Sequence, residues 1–134
     1  METIRLVYPV EGGEASSKMK LTLKKLGLPQ DVIRRASICM YEGEINMVIH
    51  ADGGQAEVEV DANQIVIRMT DTGPGIPDVE QAMQEGYSTA GQTARELGFG
   101  AGMGLPNMKR NSDEMTIDTE VGKGTTVTVK IKVS

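Results

Sequence analysis

The apolar run Ile4-Arg-Leu-Val-Tyr8, interrupted by a single polar residue, reads as a short strand. From Ala15 to Leu26 the apolar spacing changes to that of an amphipathic helix, and Gly27 stands just past its end. Leu28-Pro29-Gln30-Asp31 then opens a longer helix, predicted over Pro29 to His50 and closed by the loop Ala51-Asp-Gly-Gly54. Gln55 to Asp61 and Gln64 to Thr70 are β-branched runs separated by Ala62-Asn63, an antiparallel hairpin with Asp71 where the second run ends. Short helices are expected over Asp78 to Gln84 and Gly102 to Asn111. Two further strands, Glu114 to Glu120 and Thr125 to Val133, join around Val121-Gly-Lys-Gly124. The order β-α-α-β-β-α-α-β-β predicts an α/β two-layer sandwich: a mixed, mostly antiparallel sheet with helices packed on one face.

The long helix carries the first anomaly. At 100° per residue it gathers Val32, Ala36, Ile38, Cys39, Met40, Gly43, Ile45, Met47 and Ile49 into one apolar arc, with Arg34, Ser37, Tyr41 and Glu44 opposite. Inside the apolar arc lie Glu42, Asn46 and His50, spaced i, i+4 and i+8 and therefore on one face. A carboxylate buried without partners costs several kcal/mol, on the order of a lost ion pair, so Glu42 must be paired, metal-linked or set in a wet cavity. A pair with Arg35 is one solution, and His50 as a cap of the helix C-terminus is another plain reading. Gly43 in mid-helix costs about 1 kcal/mol relative to Ala, which predicts local looseness there.

At 134 residues the length is that of one domain, residues 1–134, able to bury a core without disulfide or metal staples. The net charge of −5 excludes a general grip on nucleic acid, and the chain has no Trp and one Phe with which to stack bases. Cys39 is the single cysteine, the start has no signal-peptide pattern, and no apolar run reaches membrane-spanning length. These features predict a cytoplasmic protein that engages neither nucleic acid nor membrane.

Ten of the 16 glycines fall between Gly73 and Gly124. Asp71-Thr-Gly-Pro-Gly75 follows a strand, Gly98-Phe-Gly-Ala-Gly-Met-Gly104-Leu105 precedes a helix, and Gly122-Lys-Gly-Thr125 opens a strand. The first is sound turn chemistry by itself, and the second read alone is a flexible linker. Taken together they describe bare backbone around a ligand. The second places free amides and a positive dipole end where an anion can sit. A carboxylate at the strand end, Asp71, suits an exocyclic amine such as the adenine N6. Asn46 offers a carbonyl oxygen for Mg²⁺, and Glu42 a base beside the phosphates.

Glu42-x-x-x-Asn46-x-x-x-His50, Asp71-x-Gly-x-Gly75, Gly100-Ala-Gly-Met-Gly104 and Gly122-Lys-Gly-Thr125 resemble, in that order, the N-box, G1 box, G2 box and closing motif of the GHKL (Bergerat-fold) ATPases. The resemblance runs from about Pro29 to the last strand. Within that superfamily, Gln81-Ala-Met-Gln-Glu-Gly-Tyr-Ser-Thr-Ala90, Met108-Lys-Arg110 and Asp113-Glu-Met115 are similar to the RsbT branch of small anti-sigma-factor-type serine kinases. Likeness to the RsbW and SpoIIAB branch is looser.

The resemblance implies a serine protein kinase of a partner-switching system that moves the γ-phosphoryl group of Mg²⁺–ATP to a STAS-domain antagonist. Glu42 would be the general base, Asn46 the Mg²⁺ ligand and Asp71 the adenine reader. Gly73, Gly75 and Ile76 would line the base, and Thr125 would support it through Asp71 or a water. Gly100, Ala101, Gly102, Met103, Gly104 and Leu105 would hold the phosphates, with His50, Ser88 and Thr89 as further nucleotide contacts. Ser88 to Phe99, which has few apolar anchors and carries Gly91 and Gly98 as candidate hinges, is expected to be a nucleotide-ordered lid. A sigma factor as a second partner and a homodimer are compatible with the same resemblance. The alternative is a nucleotide-gated binding protein with little turnover. Other motif matches are weaker. Pro74 distorts the loop an aspartic protease would need after Asp-Thr-Gly, and no strand precedes the glycine cluster as a dinucleotide fingerprint requires. A full histidine kinase would need a separate helix pair carrying a phosphoacceptor His.

Overall fold

A computed structural model describes residues 2–51, 53–76, 79, 83 and 104–133, with His50 described by its backbone alone. Strand β1 (Ile4–Val10) leads into helix α1 (Glu14–Lys25) and the long α2 (Gln30–Ala51). The hairpin β2 (Gly54–Val60) and β3 (Gln64–Asp71) follows, then α3 (Gly104–Arg110) and the hairpin β4 (Glu114–Glu120) and β5 (Gly124–Lys132). The strands form one sheet in the order β1-β2-β3-β5-β4, and every pairing is antiparallel, so the parallel component expected of a mixed sheet is absent among the described residues. Each strand boundary lies within two residues of its expectation. The predicted helix over 78–84 is described only at Val79 and Met83, where Met83 N–H donates to Val79 O at 3.0 Å. The expected lid over 88–99 lies outside the described residues.

Alternation decides which face the helices cover. Ala56, Val58 and Val60 of β2, Ile65, Ile67 and Met69 of β3, and Val129 and Ile131 of β5 are all buried beneath them. The opposite face carries Arg5, Glu57, Glu59 and Arg68 in exposed ion pairs, each worth at most about 1 kcal/mol. Met19, Leu23, Met40 and Met108 complete the core from the helix side. With no Trp and one Phe in the chain, flexible thioethers fill the gaps that aromatic rings would otherwise occupy.

Helix α1 ends in a Schellman turn: Gly27, at φ 76°, donates to Lys24 O at 3.0 Å, and Leu28 N–H reaches Leu23 O at 3.4 Å. That turn reverses the chain and lays α2 antiparallel beside α1. Gly43 is buried where α2 meets the sheet, and a methyl there would strike Met69 Sδ and lie 3.3 Å from Met108 Cε. The expected looseness is replaced by tight packing: the glycine lets the helix settle onto β3, and α2 runs unbroken through it.

Candidate functional site

Asp71 is the last inward-facing residue of β3, one step beyond Ile65, Ile67 and Met69. It pairs across the sheet with Thr125, and Thr125 pairs with Thr119, so three polar residues form a row on the helix-facing side. Asp71 Oδ1 accepts hydrogen bonds from Gly73 N–H at 3.0 Å and Thr125 N–H at 3.2 Å. The hydroxyls of Thr125 and Thr119 are 2.8 Å apart, and Thr119 Oγ1 accepts from Ile76 N–H at 2.9 Å. The row therefore pins the loop 72–76 at both ends, and both of these bonds to Asp71 fall on Oδ1. Thr119 was not singled out by sequence, although its inward register beside Thr125 is the signal that finds it.

The bareness of this loop has a packing cause. A Cβ on Gly73 would lie 2.9 Å from Ala51 Cα at the end of α2, and one on Gly75, at φ 80°, 2.9 Å from the carbonyl carbon of Glu120. Glycine there lets the loop nest between the helix end and the β4–β5 hairpin, and Gly122 N–H donates to Pro74 O at 2.9 Å. Ile76 is half-buried and packs against the core.

Helix α2 supplies the second cluster. Glu42 and Asn46 are both half-buried, one turn apart, and face the start of α3. A methyl on Gly104 would sit 3.5 Å from Glu42 Oε2 and 3.6 Å from Asn46 Oδ1. Asn107 Nδ2 donates to Glu42 Oε1 at 3.4 Å, and Arg110 Nη2 donates to Asn107 Oδ1 at 2.6 Å. Asn107 is a neighbour of Glu42 that sequence reading missed, because a seven-residue helix is too short to give a periodic signal. Leu105, by contrast, is buried in the core, so only its backbone can face a ligand.

Arg35 does not pair with Glu42. Its guanidinium donates to Asn111 O at 3.2 Å and pairs with Asp113 at 3.2 Å, tying α2 to the start of β4. The Lys132 backbone N–H first, and Arg35 after it, hold the Asp113 carboxyl below its ordinary range. Burial pushes the neighbouring Cys39 thiol up to about 12, partly opposed by Arg35 and reinforced by Glu42.

Glu44 overturns an expectation. Placed by periodicity on the polar side of α2, it is 0% exposed and accepts from Ala15 N–H at 3.0 Å and Ser16 N–H at 2.7 Å. Those amides belong to the first turn of α1, which has no side-chain cap of its own. The carboxylate satisfies two otherwise orphaned donors and meets the positive end of the helix dipole. Its direction from the helix axis was read correctly; what lies in that direction is α1, not water.

The expected site residues thus gather in two places joined by α2: Glu42, Asn46 and Gly104 midway along it, and Asp71, Gly73, Gly75, Ile76 and Thr125 beyond its C-terminus. Ser88, Thr89, Gly100, Ala101, Gly102 and Met103 lie outside the described residues, as does the side chain of His50.

Comparison with known proteins gives this arrangement a lineage. Residues 34–134 match the model of the histidine kinase-, DNA gyrase B- and HSP90-like ATPases. The chain is 33% identical over 108 residues to the serine/threonine-protein kinase RsbT of Bacillus subtilis (strain 168), covering 78% of this chain and 75% of that one. It is 32% identical, also over 108 residues, to the anti-sigma F factor of Clostridium beijerinckii, covering 76% and 72%. The mycobacterial sensor histidine kinase MprB shares the fold at a TM-score of 0.56 and 14% identity, over 96% of this chain and 97% of that one. With Glu42, Asn46, Asp71 and Gly104 all inside the matched stretch, the chain belongs to the histidine kinase-, DNA gyrase B- and HSP90-like ATPases.

Proposed function

We propose that the chain is a protein-serine kinase that transfers the γ-phosphoryl group of ATP to a serine of a STAS-domain regulatory partner, in the cytoplasm. The observation that carries this reading is the convergence of Glu42 Oε2 and Asn46 Oδ1 on Gly104, at the start of α3. Asp71 would accept the adenine amine through Oδ2 while Oδ1 stays bound to the loop and to Thr125. Backbone amides at Gly104 and Leu105 would meet the phosphates.

Among the described residues no three His, Cys, Asp or Glu side chains converge to cage a metal. Asn46 Oδ1 beside Glu42 suits Mg²⁺, which takes one or two protein oxygens and fills its shell with phosphate oxygens and water. Bound there, Mg²⁺ would neutralise phosphate charge. The chain's own contribution to the chemical step is Glu42, which takes the proton of the acceptor hydroxyl as its oxygen bonds to the γ-phosphorus. The bond from that phosphorus to the β-bridging oxygen breaks, and ADP leaves.

Mixing the protein with labelled ATP and a panel of STAS-domain proteins tests the reading, with Glu42→Gln as the control. ATP affinity should persist in the variant, while phosphoryl transfer falls on the order of 10²–10⁴-fold. Transfer by Glu42→Gln at the wild-type rate would refute the base assignment. The near-equal similarity to an anti-sigma F factor supports a second reading, a nucleotide-gated binder of a sigma factor or related protein. ATP-dependent binding without phosphorylation of any partner would select it.

A further inference from the structure

A groove of about 830 Å³ runs between α1 and α2 and ends at Glu42. We propose that this groove receives the acceptor segment, and that the segment carries acidic residues on one side of its serine. The inference rests on the kinase reading, because it assigns Glu42 to the hydroxyl.

Glu42 is shared between two surroundings. On one side its carboxylate meets Gly104, Asn46 and Asn107; on the other it lines the groove together with Tyr41. A base must touch the acceptor hydroxyl and stand beside the phosphate at the same time. Access to Glu42 along α1 and α2 meets that demand without crossing the nucleotide.

The groove's charge selects its occupant. Lys20, Lys24 and Arg34 line it, in a chain of net charge −5. Arg34 is held by Asp31 at 3.0 Å, while Lys20 and Lys24 are exposed and pair with no described carboxylate. The floor is apolar, with Ile33 buried and Leu28 and Ile38 half-buried. An extended peptide with acids beside small or apolar residues fits both. Nucleic acid fits poorly, since the rest of the molecule would repel its phosphates.

Helix geometry sets the register. The Glu44 contacts with Ala15 and Ser16 place the start of α1 level with Glu42. At 1.5 Å per residue, Lys20 then lies roughly 5 Å and Lys24 roughly 10 Å along α1 from Ser17. An extended chain advances about 3.3 Å per residue, so its acids should fall about one and about three positions from the serine.

Two probe peptides test this, Ala-Glu-Ala-Glu-Ser-Ala and Ala-Ser-Glu-Ala-Glu-Ala, each beside a version with Gln for Glu. Amide shifts of the labelled protein would be followed to millimolar peptide. One acidic peptide should move the signals of Ser17, Lys20, Ile38 and Tyr41, and its Gln counterpart should bind at least tenfold more weakly. Lys20→Glu combined with Lys24→Glu should lose the acidic peptide at least tenfold, and raise KM for a STAS substrate to the same extent, with ATP affinity unchanged. Absence of groove shifts, equal binding of the Gln peptide, or a double variant within twofold of wild type would each overturn the proposal. So would a shift of the double variant from dimer to monomer in sedimentation, which would make a second copy the occupant. Failure of the kinase reading looks different: the acidic peptide docks and ATP binds, yet no serine is phosphorylated, and the acceptor assignment falls with the kinase. Transfer to a STAS serine that ignores both lysine changes would instead remove the groove and keep the kinase.

Discussion

Asn107 holds one oxygen of Glu42 while its own carbonyl is held by Arg110, and this fixes the carboxylate's rotation about its last bond. A hydrogen bond to a charged acceptor contributes about 1.5–3 kcal/mol, and at 3.4 Å this one belongs at the low end. On the proposed kinase reading, Asn107→Ala should therefore slow phosphoryl transfer about tenfold, with ATP affinity within about twofold, since the contact is made to Glu42, the proposed base. Parallel losses in kcat and ATP binding would assign Asn107 to α3 stability instead. A second residue, Cys39, answers to pH. Its thiol stays neutral in the fold up to about 12, while the ordinary value is 9.0. The unfolded chain therefore loses that proton first, and stability should fall as pH rises from about 9 towards 12. Urea midpoints at pH 8 and 10.5 check this: the fall should be smaller in Cys39→Ala, whose remaining slope belongs to Lys and Tyr. The wild-type thiol should also resist alkylation at pH 8 until urea is added.

Among the elements, α2 does most of the organising, and three consecutive residues show how. Rotation by about 100° per residue sends Glu42 towards Gly104, Gly43 onto the sheet and Glu44 under α1. Gly43→Ala would gain about 1 kcal/mol of helix propensity. It would also press a methyl into Met69, and overpacking of this kind costs about 1–3 kcal/mol. A net loss near 1 kcal/mol is expected in urea unfolding, and a net gain would mean that Met69 swings aside freely. The same triplet shows what was legible in the sequence. The β-branched runs revealed β2, β3, β4 and β5 almost to the residue, and with them Asp71 at the end of β3; its inward direction came with the register. Helix periodicity found Glu42 among apolar neighbours. It misjudged Glu44 because a wheel gives the direction of a side chain and says nothing of what waits there. It set Gly43 on the buried arc, where the looseness expected from helix propensity gives way to packing. The Schellman turn at Gly27 is what folds α1 back over Glu44, and that is a tertiary consequence.

For the whole molecule, α2 links the two parts of the site, so events at Asp71 and at Glu42 share one lever. Its far end abuts Gly73, and its middle carries Glu42 and Asn46. Adenine docking at the sheet end and phosphate docking near Gly104 would both bear on this helix. Through Arg35 and Asp113 it is also fastened to the sheet. The α1–α2 pair closes the other side, and its Glu44 contact has a consequence for how the molecule breathes. Amides in the opening turn of a helix normally trade hydrogen for deuterium quickly, because no carbonyl of their own helix accepts them. At Ala15 and Ser16 a buried carboxylate accepts them, so they should exchange as slowly as the interior of α1 and keep time with α1 lifting off α2. In Glu44→Gln one amide at most retains a strong acceptor, and both should exchange sooner by an order of magnitude or more. These two protons are thus a clock for the separation of the helices between which the acceptor is proposed to enter.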